Sequence, residues 1–137
     1  MINRFTGQYR FLSNFYPIEI EQEGMKYPTV EHAYQAAKTV FSLDKLAIQL
    51  CKTPGEAKCY GRKVRLRTDW EDIKLRVMRN LISQKFRDVH LNLKLLATKN
   101  EELIEGNNWG DTFWGVCNGV GENHLGKILM DVRSRLI

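Results

Sequence analysis

The spacing of apolar and polar residues changes several times along this 137-residue chain, and each change marks an element. IEIE (18–21) alternates apolar with acidic side chains, QEG supplies a glycine-containing turn and MKY returns. RFLSNFYPIEIEQEGMKYP is therefore expected to be β structure. From Thr29, a good N-cap, the period becomes helical, with Val30, Ala33, Tyr34, Ala37, Val40 and Phe41 on one arc. Ser42 heads a short helix in SLDKLAIQLCK. TPGE (53–56) joins a capping box to a proline at the first helical position, with Gly61 as the stop. A second capping box, TDWE (68–71), opens the longest helix, to about Arg87, along an apolar stripe of Trp70, Ile73, Val77, Leu81 and Phe86. A helix from about His90 to Ala97 turns Leu91, Leu95 and Leu96 inward, and ELIEG fits a short strand. The last helix, capped by Asn123, buries Leu125, Ile128, Leu129, Val132 and Leu136. The pattern predicts a mostly helical α+β fold, with a small sheet built from the N-terminal strands and the segment near residue 103.

Length and composition narrow the class. A chain this long buries one core, so a single domain over residues 1–137 is expected. With 43% hydrophobic and 27% charged residues it reads as globular rather than disordered. No apolar run approaches the ~18–20 residues of a membrane span, and no signal-peptide core is visible. Cys51, Cys59 and Cys117 lack CxxC spacing, so buried, unreactive thiols in a reducing cytoplasm are expected. The net charge of +5 leans toward anionic partners, but Lys and Arg are interspersed with acids. The densest patch, GRKVRLR (61–67), fits either a solvated loop or a phosphate-contact surface. No cluster with metal-ligand spacing occurs, so neither metal nor cofactor is expected.

Three segments carry candidate chemistry. In YPTVEHAYQAAKTV (27–40), Glu31, Gln35 and Lys38 lie within roughly 60° of one another on the helix. Such a line is either a solvated face whose charges suit the helix dipole or one wall of an active site. His32 beside it reads as a hydrogen-bonding histidine. FLSNFYP is unusually apolar for a loop. GDTFWGVCNGVGEN combines Asp111, Trp114, glycines and Asn123 with no regular period, which suits either a ligand-approaching loop or a turn whose Trp plugs the core.

FLSNFYP, PTVEHAYQAAK, GRKVRLRTDW, the VM and KF of the long helix and DTFWGVCNGVGENHLGKILMDVR, in this order from about Phe5 to Leu136, closely resemble the NADAR (NAD and ADP-ribose), or YbiA-like, family. The resemblance implies a largely helical α+β domain that hydrolyses N-glycosidic bonds. Known members act on ribosylamine intermediates of the riboflavin pathway or remove ADP-ribose from modified guanine in nucleic acid. The family's polar helix motif falls on Glu31, Gln35 and Lys38, and its SNFY segment on Ser13, Asn14, Phe15 and Tyr16. The glycine-arginine pair falls on Gly61 and Arg62, and the late loop on Asp111, Trp114, Gly115, Gly121 and Asn123. GVCNG departs from the shorter glycine-rich link the family leads one to expect, at Cys117 and Asn118.

These positions set the expected roles. Glu31, Lys38 and Asp111 are the catalytic candidates: either the two carboxylates share acid–base work, or a neutral Lys38 amine attacks the anomeric carbon and forms an imine. Phe15 and Trp114 are expected to flank a base, and Asn14, Tyr16, Gln35, Gly115 and Asn123 to contact sugar or base, with Arg62 meeting phosphate. The expected partner is a phosphorylated ribosyl N-glycoside, with ADP-ribosylated guanine in DNA as the leading choice and riboflavin-pathway ribosylamine phosphates as the alternative. A non-catalytic reader of ADP-ribose or nucleic acid would carry the same basic and aromatic features. The catalytic proposal requires the acid, amide and amine of the first long helix to leave bulk solvent and look into a pocket roofed by the late loop that carries Asp111 and Trp114.

Overall fold

The computed structural model describes residues 1–136 and divides into two units, one of residues 14–85 and one of residues 1–13 with the chain from Phe86 onward. The first unit is built around a single helix. A hairpin leads into it: β1 (Ile20–Gln22) pairs antiparallel with β2 (Met25–Tyr27), Ile20 opposite Tyr27. Glu23 and Gly24 between the strands both have positive φ, 51° and 80°, the two-residue turn whose twist matches a hairpin. Helix α1 (Val30–Ala37) follows, its first turn capped by Thr29, whose Oγ accepts the His32 N–H at 3.1 Å.

α2 (Ser42–Gln49), α3 (Pro54–Gly61), α4 (Trp70–Lys85) and the hairpin all pack against α1, so all eight of its residues are buried. Ala33, Ala36 and Ala37 permit this crowding, because a methyl side chain lets neighbouring elements come close. Two expectations about this stretch are corrected. The helix stops at Ala37, so Val40 and Phe41 lie beyond it and are exposed rather than on its buried arc. Phe41, not Ser42, is the residue before α2. Thr53 caps α3 as expected, accepting from Glu56 N–H at 3.1 Å. α4 begins at Trp70, one residue later than the TDWE box implies, and the Asp69 carboxylate before it pairs with Arg67 at 2.6 Å. Its stripe of Trp70, Ile73, Val77 and Leu81 is buried; the helix ends at Lys85, so Phe86, also buried, lies past it.

In the second unit, Arg10, Phe11 and Leu12, expected to be β, end a 3-10 helix over Gly7–Leu12. Phe11 and Leu12 are adjacent and both buried, which one face of an alternating strand cannot provide. α5 (Val89–Ala97) is capped by Asp88 and buries Leu91 and Leu95, whereas Leu96 faces outward, contrary to expectation. The sheet also differs. Leu103 bridges Ile2, and β3 (Gly106–Asn107) pairs in parallel with β4 (Val116–Cys117), a two-stranded sheet separate from the hairpin. α6 (His124–Ser134) buries Leu125, Ile128, Leu129 and Val132, while Leu136 lies past its end. The architecture is α+β and mostly helical, as the pattern predicts. Among the described residues no helix is long and apolar enough to cross a membrane. The thiols are not buried: Cys59 is exposed, Cys51 and Cys117 half-buried, and all three are free.

Candidate active site

The polar line of α1 is not a solvated face. Glu31 and Gln35 retain only 8% and 3% of their exposure, and Lys38 at the helix end is half-buried. Burying polar side chains on a helix that could have carried leucine costs free energy unless each finds a partner. Gln35 donates from Nε2 to the Glu31 carboxylate at 2.5 Å, the contact that i, i+4 spacing allows. Its other amide atom, Oε1, is buried with no hydrogen-bond partner, and so is Oδ1 of Asn14. Asn14 belongs to the same corner: its carbonyl accepts the Glu31 N–H at 3.1 Å, and its Nδ2 points at the Met78 sulfur. Both oxygens are enclosed and unpaired within the chain, Gln35 Oε1 directly beneath Gly61, which leaves Asn14 Oδ1 as the acceptor a substrate donor could satisfy.

Gly61 explains how Gln35 is held. A Cβ at this position would run into the Gln35 side-chain amide, so only glycine lets the end of α3 lie over it. The next residue, Arg62, is the exposed C-cap of α3, and Lys63 and Arg65 beyond it are exposed too. Arg67 instead pairs with Asp69 and donates its N–H to the Lys38 carbonyl at 2.8 Å, fixing the chain where α1 ends.

Lys38 is the chemically unusual group. Its Nζ stands 5.4 Å from the centre of the Tyr34 ring, and Tyr34 in turn packs on Trp70 with centroids 5.3 Å apart. Burial pushes its amine below the ordinary lysine range. The Glu31 carboxylate opposes that shift, and Arg62, Lys58 and Lys74 reinforce it. Less of the amine is thus held as the inert ammonium than at an exposed lysine. His32, by contrast, is structural. Its Nε2 lies 3.0 Å from the Cys51 carbonyl, which can only accept, so Nε2 bears a proton, and Nδ1 is hydrogen-bonded with the Thr29 hydroxyl at 2.8 Å. Phe15 is exposed, and Tyr16 is half-buried with the Lys85 amine 5.8 Å from its ring centre.

The late loop belongs to the other unit. Asp111 Oδ1 accepts from the N–H groups of Phe113 and Trp114 at 3.2 and 2.9 Å, closing an Asx turn. Trp114 packs edge-on against Phe113. Gly115 has no room for a Cβ, which would strike the Glu105 carbonyl. Asn123 sits at the start of α6 in the left-handed region (φ 54°), and its amide does not cap the helix. It spans the strand region instead, accepting from Glu105 N–H and donating to the Leu103 carbonyl, both at 3.0 Å. Asp111 and Asn123 therefore spend side-chain polar atoms on the shape of this loop.

The NADAR domain model matches residues 3–137. This chain belongs to the NADAR family. Similar NADAR proteins include an N-glycosidase of Nostoc punctiforme, 42% identical with 93% of this chain and 86% of that protein covered. The N-glycosidase YbiA of Shigella sonnei is 36% identical, with 96% and 84% covered. A riboflavin biosynthesis protein of Vibrio vulnificus is 39% identical over 92% of this chain, which spans only 35% of that longer protein. Among solved structures, the NMR structure of YbiA from Escherichia coli superposes with a TM-score of 0.86 at 34% identity, covering 99% of this chain and 84% of that one. Within this NADAR chain, residues 14–85 bring together Asn14, Glu31, Gln35, Lys38 and Gly61 with Arg62. Lys58 and Lys74 also act on Lys38 and escaped the sequence reading. Both stand at helical spacing from recognised residues, Lys58 three before Gly61 and Lys74 four after Trp70.

Proposed function

We infer that this NADAR protein is a hydrolase acting on N-glycosyl bonds, and we propose that it cleaves a ribosyl C–N bond with Lys38 as nucleophile. The observation that carries the proposal is the burial of Glu31, Gln35 and Lys38 in one line, with the Lys38 amine made less basic by that burial. A merely solvated helix face would need neither the withdrawal nor the open acceptors on Asn14 and Gln35.

The chemistry follows from the groups present. Lys38 Nζ bonds to the anomeric carbon as the bond from that carbon to the leaving nitrogen breaks. The electron pair departs with the nitrogen, and the proton shed by the amine passes through Glu31 to it. Ring opening forms the imine, the second amine proton going to the ring oxygen. Water then adds to the imine carbon, expels the lysine and frees the sugar. Gln35 keeps the Glu31 carboxylate aimed, and Asn14 Oδ1 accepts from a substrate donor. For Asp111 we propose loop shaping, in keeping with its Asx turn, rather than proton transfer.

As substrate we propose ADP-ribose linked to guanine, in nucleic acid or nucleotide. The net charge of +5 and the exposed Arg62, Lys63 and Arg65 support a phosphate-rich partner. A second reading, a riboflavin-pathway ribosylamine phosphate, is favoured by relatives from Vibrio vulnificus and Zea mays named as riboflavin biosynthesis proteins. Turnover on an ADP-ribosylated guanine oligonucleotide beside the ribosylamine phosphates tests the choice. The proposal predicts the higher kcat/KM for the oligonucleotide. Higher efficiency on the ribosylamine selects the second reading, and cleavage of neither overturns both.

A further inference from the structure

We infer that Lys58 and Lys74, together with Arg62, form a seat for a phosphate group of the substrate beside Lys38. The inference deepens the proposed function and rests on its reading that the substrate is a phosphorylated ribosyl compound. It starts from α4. Trp70, Lys74 and Met78 recur every four residues, so they form one row along that helix. The row is pinned at both ends: Trp70 packs on Tyr34 with ring centroids 5.3 Å apart, and Met78 takes the Asn14 amide, whose own backbone carbonyl holds Glu31 N–H. Lys74, midway between them, is thereby held along α1 over the stretch that carries Tyr34 and Lys38. Its side chain keeps only 18% of its exposure in a row otherwise made of Trp and Met.

α3 supplies the other cations. Ala57 and Gly61, one turn apart, are its buried residues, and Gly61 presses on Gln35. Lys58 is three residues before Gly61 and four before Arg62, so it borders the same face. Lys58 is half-buried, and Arg62 reaches solvent at the helix end. Burial lowers the Lys38 pKa most; Glu31 on its own helix opposes the shift, and Arg62 and Lys58 from α3 and Lys74 from α4 add to it. Glu71, which pairs with Lys74 at 2.6 Å, is 77% exposed and readily exchanges that contact for water. Lys58, Arg62 and Lys74 thus bring positive charge from two helices toward the end of α1, which an incoming anion would complement. A phosphate fits this charge, and lysine ammonium groups bind it as point charges.

Binding of ribose 5-phosphate, measured calorimetrically with the intact protein, tests the assignment. Lys58→Gln and Lys74→Met should each weaken it about tenfold or more, whereas Lys52→Gln, an equal charge change at an exposed position, should leave it nearly unchanged. Both site variants should melt within a few degrees of the parent, and should raise KM for a phosphorylated N-riboside about tenfold more than KM for its dephosphorylated form. Unchanged ribose 5-phosphate affinity in both variants, an equal loss in Lys52→Gln, or no binding by the parent protein overturns the seat. The two claims fail separately. Loss of binding in the variants of a protein that cleaves no N-riboside would keep the seat and refute the glycosidase. Cleavage with unaltered KM in the variants would do the reverse.

Discussion

Gly61→Ala tests how α3 sets the geometry of the site, because the perturbation is one methyl group. Built on the observed backbone, that methyl collides with the Gln35 amide, which is buried and has little room to retreat. In an exposed helix the change would gain about 1 kcal/mol from helix propensity, while overpacking in a filled interior costs about 1–3 kcal/mol. The net stability change is therefore small, a loss of about 0–2 kcal/mol or roughly 0–8 °C in melting temperature. Activity should suffer more. Displacing the amide breaks its bond to Glu31, and a hydrogen bond to a charged group is worth about 1.5–3 kcal/mol, or roughly 10–100-fold in kcat if it is needed in the transition state. Gly55→Ala is the internal control: on the same helix its Cβ meets nothing closer than the Thr53 hydroxyl at 3.8 Å, so it should be neutral or slightly stabilising and fully active. Melting curves and steady-state kinetics on the three proteins suffice. A Gly61→Ala protein as active as Gly55→Ala would refute the claim that α3 clamps Gln35 onto Glu31.

Glu31→Gln should lower kcat by about 100-fold or more while shifting the melting temperature by only about 3 °C; equal losses in both would make Glu31 a structural residue. Lys38→Met should abolish turnover yet raise the melting temperature at neutral pH. With the amine pKa lowered on folding, the unfolded chain binds more protons between the lowered value and the ordinary 10.5, so Lys38 costs stability at and below that window and the cost fades as pH rises through it. The gain over the parent should thus shrink toward pH 10, and a gain that grew with pH would contradict the assignment. The acid limb of kcat/KM in the parent should fall below the ordinary lysine range for the same reason, read from a pH–rate profile. Asp111→Asn keeps an oxygen for the Asx turn but no acid, so it should retain activity within about fivefold; a loss matching that of Glu31→Gln would restore Asp111 to proton transfer.

Much of this architecture is legible in local sequence rules. The caps at Thr29 and Thr53, the stripe of α4 and the hairpin turn at Glu23–Gly24 are set by contacts within a few residues, and they appear where those rules place them. What the rules miss depends on distant packing. The polarity of Glu31 and Gln35 on α1 points to a solvated face, and only enclosure by α2, α3, α4 and the hairpin reverses that. Phe11 and Leu12 look like strand residues until both are buried side by side in a 3-10 turn. Asn123 carries a cap residue's chemistry at a cap position, but its left-handed backbone turns the amide toward residues 103–105 instead. Lys58 and Lys74 stand at helical spacing from recognised residues, but nothing local marks which neighbouring helix they face. The motif order does point to Glu31, Gln35 and Lys38 in advance, yet the open acceptors on Asn14 and Gln35 become visible only in three dimensions.

The most direct test of the account is borohydride reduction during turnover on an N-riboside substrate, followed by mass mapping of the protein. A nucleophilic Lys38 predicts a reduced sugar adduct on that residue alone, absent when borohydride is added without substrate and absent from Lys38→Met. Turnover without any adduct, together with an active Lys38→Met protein, would contradict it.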